Sequence, residues 1–553
     1  LPADLVILNG RVKTMDPLRP RAEAIAVQGG SIVVVGDDED ALAAASPGAR
    51  VIDAAGATVL PGFVEGHMHL FSGAAELSHL QLGEVKGREA LAAAIRDYRR
   101  GREAEPLLMA QGAAYTILSE HERMDRRVLD AIVPDQPFMM AAADHHTVWA
   151  NTLALEKAGI LAGRALGPGN EIVMGADGLA NGELREMEAF QPIFELAGGR
   201  RDRFGLTTGG EPDPAPSQAE IDADRAIIKS GLDYCARHGI TSLQAMDGNL
   251  YQLERLAEVE AMGELTCRAQ IPFHFKNFMD LEMLEKATLM AARYRSETIK
   301  SGYVKVFYDG VLEGWTAVMV EPYADRPDWR GEALFTPERF AELATAIDAR
   351  GLQIAVHAIG DGAVRTVLDG YEAAQRRNGR RDSRHRIEHI EVVNPVDIPR
   401  FARLGVLASM QPRHCPGTLG LPLEPILTSL GRERWRYAYA WNTLRYAGAT
   451  LVFATDWPVS PIDPMASLQA ALTRPMWSED LPDERLTLDQ ALAAYTINGA
   501  YAEFMEHRKG MLRPGYMADI VVLDGDLEAV DPEEISTVRP RTTICGGRVT
   551  YEA

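Results

Sequence analysis

Between residues 57 and 502 the chain alternates short apolar runs with longer stretches of helical period, and this alternation limits the fold more than any other feature. The strand-like runs are Ala57–Val64, Met139–Ala143, Thr241–Ala245, Tyr303–Phe307, Gln353–His357, Arg386–His389, Val406–Met410 and Leu451–Thr455. Pro337–Ala349 and Leu488–Ala502 are examples of the amphipathic stretches between them. Alternating β and α units imply a parallel sheet, open or closed. Several of the runs end in or beside an ionisable residue. In a (β/α)8 barrel, chemistry gathers at those carboxyl ends.

The two chain ends have a different texture. Leu5–Leu8, Ala24–Val27 and Ser31–Gly36 are β-type runs punctuated by Asn9-Gly10 and Gly29-Gly30, a hairpin signature. Asp519–Asp524 and Thr543–Thr550, divided by Gly546-Gly547, repeat it. Neither segment can bury much core alone, so they are expected to form one small β domain; two independent edge hairpins are the plain alternative. The span from 60 to 510 exceeds a bare barrel of about 250 residues. The excess falls between 78 and 225 and includes the loop-like, Gly- and Pro-rich Arg200–Ser217.

Charge narrows the function. With 79 acidic residues against 57 basic ones and a net charge of −22, phosphate neutralisation on nucleic acid and docking on anionic membranes are both disfavoured. No apolar run approaches the ~18 residues of a membrane span, and no leader pattern is visible, so a cytoplasmic location is expected. The four cysteines (Cys235, Cys267, Cys415 and Cys545) form no CxxC pair, which excludes a disulfide scaffold and a thiolate zinc site.

The chemistry-bearing residues sit on the strand-like runs. His67 and His69 are two apart on an extended segment, so both rings can face one side and hold a divalent cation. His357, His389 and Asp456 each close or follow a run of core type. One such histidine would be a satisfied core residue. Several together, with a carboxylate that needs a partner or a metal, are harder to explain by packing. Four histidines and an aspartate suit zinc or a similar cation. Lys305, between apolar neighbours in Tyr303–Phe307, is either on a solvated edge or desolvated towards its neutral form. A neutral amine there could react with carbon dioxide to give a carbamate that bridges two metals.

These residues resemble the amidohydrolase superfamily, within it the amidohydrolase 3 group of YtcJ-like proteins related to N-substituted formamide deformylase. The resemblance is carried by His67-Met68-His69, Lys305–Gly310, His357–Asp361, Arg386–His389 and Thr455–Val459. Asp144–Asn151, Asp177–Glu186 and Gly510–Asp519 extend it. It implies an α/β fold: a distorted (β/α)8 TIM barrel (61–77 plus 226–510), a small β-sandwich domain formed by both chain termini (1–60 plus 511–553), and an insertion after the first barrel strand (78–225) that shapes the active site. It also implies about two zinc ions per chain. His67 and His69 would bind the more buried one, His357 and His389 the second. Carboxylated Lys305 would bridge them, and Asp456 would bind the first and touch the bridging water.

The implied reaction is hydrolysis of a non-peptide carbon–nitrogen bond, in an amide or N-substituted formamide, by metal-activated hydroxide with Asp456 as proton shuttle. His146 is read as a second catalytic group, with loop bracing as the plain alternative; His145 stands where relatives carry glycine. Asp309 could orient a metal ligand or simply make an Asp-Gly turn. Asp361 could brace His357 or cap the helix that follows it. Trp457 could be pocket wall or packing. Of the remaining histidines (79, 121, 238, 274, 385, 414 and 507), His414 alone is singled out as a group near the site. A small-molecule substrate is expected, and a homodimer is one expectation for the assembly. The competing activities are cyclic-amide or ester hydrolysis and deamination on the same scaffold, and a non-catalytic scaffold that retention of every ligand type argues against.

Overall fold

The computed structural model describes residues 2–83, 85–119, 121–143, 145, 147–167, 170–198 and 209–553. It resolves into two compact units. One comprises Leu1–Leu70, Thr208–Glu211 and Ile221–Ala553; the other comprises Phe71–Thr207 and Pro212–Glu220.

In the first unit parallel strands follow one another in chain order. They are β1 (Phe63–Met68), β2 (Ile240–Ala245), β3 (Arg268–Gln270, resuming as Phe273–Phe275), β4 (Ile299–Lys300, resuming as Tyr303–Phe307), β5 (Gln353–Ala358), β6 (Arg386–His389), β7 (Leu407–Met410) and β8 (Leu451–Phe453). β3 is interrupted at Ile271-Pro272, where proline has no N–H for the ladder, and β4 is interrupted beside it. Each strand pairs with the next, from β1 to β8. The Asp456 N–H donates to the His67 carbonyl (3.0 Å) and the His69 N–H to the Trp457 carbonyl (2.7 Å), linking the end of β8 back to β1. The strands therefore form a ring.

The chain ends supply two more sheets in this unit. A four-stranded sheet runs Ser31–Gly36, Ala24–Gln28, Ala3–Leu8, Ala45–Asp53. A six-stranded sheet combines Arg11–Lys13, Arg21–Ala22 and Thr58–Pro61 with Ile520–Leu523, Pro540–Cys545 and Arg548–Glu552. Its two halves join where Ile520 pairs opposite Pro61 and Val522 opposite Val59. Leu5, Ile7, Ile25 and Val27 of the first sheet share one apolar cluster with Val59, Ile520, Val522 and Ile544 of the second.

Three strand assignments differ from the sequence reading. Ala57–Val64 is not one strand: Thr58–Pro61 belongs to the terminal sheet, and β1 begins at Phe63. Gly62 makes the change of sheet, and a Cβ there would meet the Thr241 side chain at 2.2 Å. Met139–Ala143 is not in the ring. It corresponds to Phe138–Ala142 in the second unit, whose alternate residues feed two apolar clusters. A strand buried on both faces reads the same in either sheet, which is why the sequence did not separate them. β3 escaped detection because Arg268, Gln270, Pro272 and His274 interrupt its apolar pattern.

The second unit contains a mixed six-stranded sheet in the order Glu171–Met174, Ala180–Arg185, Thr147–Ala150, Phe138–Ala142, Leu108–Ala113, Leu80–Gln81. The pairing of Thr147–Ala150 with Ala180–Arg185 brings together the Asp144–Asn151 and Asp177–Glu186 motifs. Asn151 is architectural: it caps the helix Thr152–Lys157 and its amide donates to the Val133 and Gln136 carbonyls, both at 2.8 Å. His145 has φ of 62°, a left-handed backbone that favours glycine, and its Nδ1 lies 3.7 Å from Glu76.

The ring and the terminal sheets meet at a buried ion pair. Arg268 on β3 donates to both oxygens of Asp519 (2.8 and 3.1 Å), and the Gly546 N–H adds a third bond (2.7 Å). Burial opposes the charge on Asp519, but Arg268 outweighs it and holds the pKa below its ordinary value. Arg268→Met should therefore destabilise the protein by about 3–5 kcal/mol by stranding a buried carboxylate. Urea denaturation measures this, and the double variant Arg268→Met/Asp519→Leu should recover much of the loss.

Candidate metal centre

The site is built where the ring strands end. β1 presents His67, with His69 directly after it; β4 presents Lys305, β5 His357 and β6 His389; Asp456 follows β8. His67 Nε2 lies 3.2 Å from Asp456 Oδ1, and His69 Nε2 lies 3.3 Å from the same oxygen. The His389 ring stands 4.7 Å from that of His67 and 4.5 Å from that of His357. His67, His389 and Asp456 each offer a ligand atom within 4.8 Å of the others. Lys305 lies behind them, fully buried, with Nζ 4.7 Å from the Phe307 ring centre; Phe307 in turn packs 4.8 Å from His357.

Two of these residues have unusual backbones. His389 has φ of 79° and Asp456 of 61°. Non-glycine residues avoid this region, at a cost of about 1–3 kcal/mol each where they are forced into it. The surroundings hold Asp456 there. Thr455 Oγ1 donates to buried Glu65 (2.7 Å), Ser460 Oγ donates to the Thr455 carbonyl (2.9 Å), and the Asp456 N–H bonds β1.

An outer layer of acceptors sets the ring orientations. His67 Nδ1 pairs with Glu388 (2.6 Å), His69 Nδ1 with Asp247, and His389 Nδ1 with Gln411 Oε1 (2.7 Å). Each leaves Nε2 for the interior. His357 is held the other way round, by Nε2 on the Gly310 carbonyl (3.0 Å). Glu388 is itself gripped by Arg386, which also bonds Gln244, the Gly66 carbonyl and Ser409. Such partners fix the tautomer of a ligating histidine and strengthen it as a donor. Glu388, Asp247, Gln411 and Arg386 were not singled out in the sequence. Asp247 could have been found, because it follows β2 as Asp456 follows β8.

The electrostatics match a site made for cations. Burial lowers the Lys305 pKa to about 8. Burial and then Lys305 lower that of His357 to about 3. Burial also pushes Glu388 towards neutrality, but Arg386 and His67 outweigh it and hold its carboxyl well below the usual carboxylate range. Among the described residues, buried His67 Nε2, Asp456 Oδ1 and Lys305 Nζ have no hydrogen-bond partner. Unpaired groups of this kind cost about 1–3 kcal/mol each. A divalent cation among these nitrogen and oxygen donors would remove that cost, so the residues fit a metal of zinc type.

The other expected site residues have mixed fates. Asp309 accepts the N–H groups of Val318, Ile359 and Gly360 (2.9–3.0 Å) and lies 3.7 Å from His357 Nε2; it pins the loop after β4 to the end of β5. Burial raises its pKa to about 7 against those bonds. Asp361 begins the helix Asp361–Asn378 and accepts the Val320 N–H (2.8 Å); the hydrogen bond on His357 comes from Gly310 instead. Trp457 is buried 5.5 Å from the Tyr234 ring, a packing position, and its carbonyl helps close the ring. His414 is at the site: its ring lies parallel to His389 at 6.1 Å, with Nε2 4.0 Å from Asp456 Oδ2 and Nδ1 3.8 Å from Glu391. Asp144 and His146 lie outside the described residues.

The His, Lys and Asp groups gather at one end of the ring of parallel strands, the end at which β/α folds of this kind carry their chemistry. Residues 50–551 match the amidohydrolase family model. The chain belongs to the amidohydrolase family and is a metal-dependent hydrolase of carbon–nitrogen bonds. It is 28% identical to YtcJ of Bacillus subtilis, covering 98% of each chain. It is 26% identical to N-substituted formamide deformylase of Arthrobacter pascens, covering 99% of this chain and 98% of that one. Among solved structures, an uncharacterized metal-dependent hydrolase of Pyrococcus furiosus superposes with a TM-score of 0.71 at 25% identity, over 96% of this chain and 99% of that one.

Glu388→Gln should weaken metal binding by about 10–100-fold, because the partner that orients His67 loses its charge. Competition with a chelator measures the affinity, and an unchanged constant would remove Glu388 from the account.

Proposed function

We propose that the protein cleaves an amide or N-substituted formamide, releasing an amine, at a site for two divalent cations of zinc type. On this reading the ring and its helices are a distorted (β/α)8 barrel and the terminal sheets its β-sandwich. His67, His69 and Asp456 would hold one cation, and His357 and His389 the other, with carboxylated Lys305 between them. When bound, the cations would acidify water and polarise the substrate carbonyl.

The observation that carries this reading is the placing of Asp456. Its buried Oδ1 faces the Nε2 atoms of His67 and His69 and has no hydrogen-bond partner among the described residues. Oδ2 is turned towards His414. One carboxylate thus spans the cation side and the substrate side. There Asp456 takes the proton of the attacking water and passes it to the leaving nitrogen. His414, braced near Glu391, contacts the leaving group. Lys305 supports the two-cation form, since it is buried with no hydrogen-bond partner among the described residues. The similarity to a formamide deformylase along nearly the whole chain supports the substrate class.

Asp456→Asn tests the assignment. The variant should keep at least one cation and lose turnover by about 10³-fold on whichever member of a panel of N-formyl amines, N-acyl amines, cyclic amides and esters the wild type cleaves. Near-normal turnover by the variant would contradict the shuttle. Cleavage of the esters or cyclic amides alone would move the substrate class.

A further inference from the structure

His274 has no spacing support in the sequence, yet its surroundings do not satisfy it. It lies on β3, directly opposite Lys305 of β4 in the strand register. It is 3% exposed, and among the described residues neither ring nitrogen has a hydrogen-bond partner. Its ring stacks on Phe307 at 5.4 Å, and Lys305 Nζ lies 4.7 Å from the centre of that same ring. An imidazole and an amine, both buried and both without a hydrogen-bond partner among the described residues, are therefore neighbours across two paired strands. Folded proteins leave few such groups, and each deserves an explanation. Neutral imidazole carries one N–H donor and one acceptor nitrogen, and neither its N–H nor those of the amine meet an oxygen acceptor among the described residues.

A carboxyl group on Lys305 supplies acceptor oxygens at this spot. We propose that His274 is a positioning residue for carboxylated Lys305, donating a ring N–H to a carbamate oxygen and so favouring carboxylation of this lysine. The inference rests on the two-cation reading above. In the modification, the Nζ lone pair of the neutral amine attacks the carbon of carbon dioxide. A C–N bond forms, one N–H proton leaves to solvent, and the product carries one negative charge. No oxidant or reductant is involved. His274 takes no part in the bond change; its donor stabilises the product.

The test is ¹³C NMR of the zinc-loaded, full-length protein equilibrated with ¹³C-bicarbonate. Wild type should give a lysine-carbamate resonance that Lys305→Ala lacks. His274→Phe keeps an aromatic ring against Phe307 but removes both nitrogens. It should raise the bicarbonate concentration for half-occupancy by about tenfold, the worth of one buried hydrogen bond. His274→Asn, which retains an N–H donor, should lie within about threefold of wild type. If His274→Phe does not fold, His274→Leu serves in the same comparison. Equal half-occupancy in wild type and the apolar variant would overturn the role of His274. So would failure of His274→Asn to recover occupancy. Absence of the resonance from wild type would instead overturn the two-cation reading, and this inference with it, so the two failures are distinguishable.

Discussion

The guanidinium of Arg386 is the interaction on which the rest of the centre depends. It is fully buried, and its bonds reach β1 through the Gly66 carbonyl, β2 through Gln244, β7 through Ser409, and its own strand through Glu388. A charge taken that far from water is tolerated only when every donor is engaged. The consequence is mechanical as well as electrostatic. Four strands of the ring are held at one level, and Glu388 is kept ionised where it meets His67. The orientation of the first imidazole is thus inherited from a packing problem in the middle of the ring.

The same economy runs through the site. Asp456 and His389 occupy left-handed backbones that an isolated chain would avoid. The bonds that restrain Asp456 are also those that close the ring: its own N–H on β1, and the Trp457 carbonyl on His69. Closure and ligand placement are one event. What the protein does not satisfy internally is also ordered. His67 Nε2, Asp456 Oδ1 and Lys305 Nζ all face inward, while the atoms behind them are bonded outward. A polypeptide that folds around unmet donors and acceptors leaves a place for something that is not polypeptide.

Much of this was legible in the sequence, for a definite reason. A strand buried on both faces announces itself as an apolar run, and an ionisable residue at its end stands out; this is how His357, His389 and Asp456 were noticed. The limits have the same origin. β3 carries Arg268, Gln270 and His274 in eight residues with a proline, so it shows no run, and His274 went with it. Phe138–Ala142 shows a run but belongs to another sheet. Glu388 and Gln411 are polar residues whose importance lies only in what stands opposite them, a relation of long range in sequence. Gly62, which moves the chain from one sheet to another, looked like the interior of a single strand.

The inward-facing atoms of this ring are placed to hold metal. Metal analysis of the purified full-length protein by mass spectrometry tests this. About two divalent ions of zinc type per chain are expected, falling together when His67 and His389 are both replaced. A protein that stays free of metal after expression and dialysis with excess zinc, yet remains folded, would contradict it.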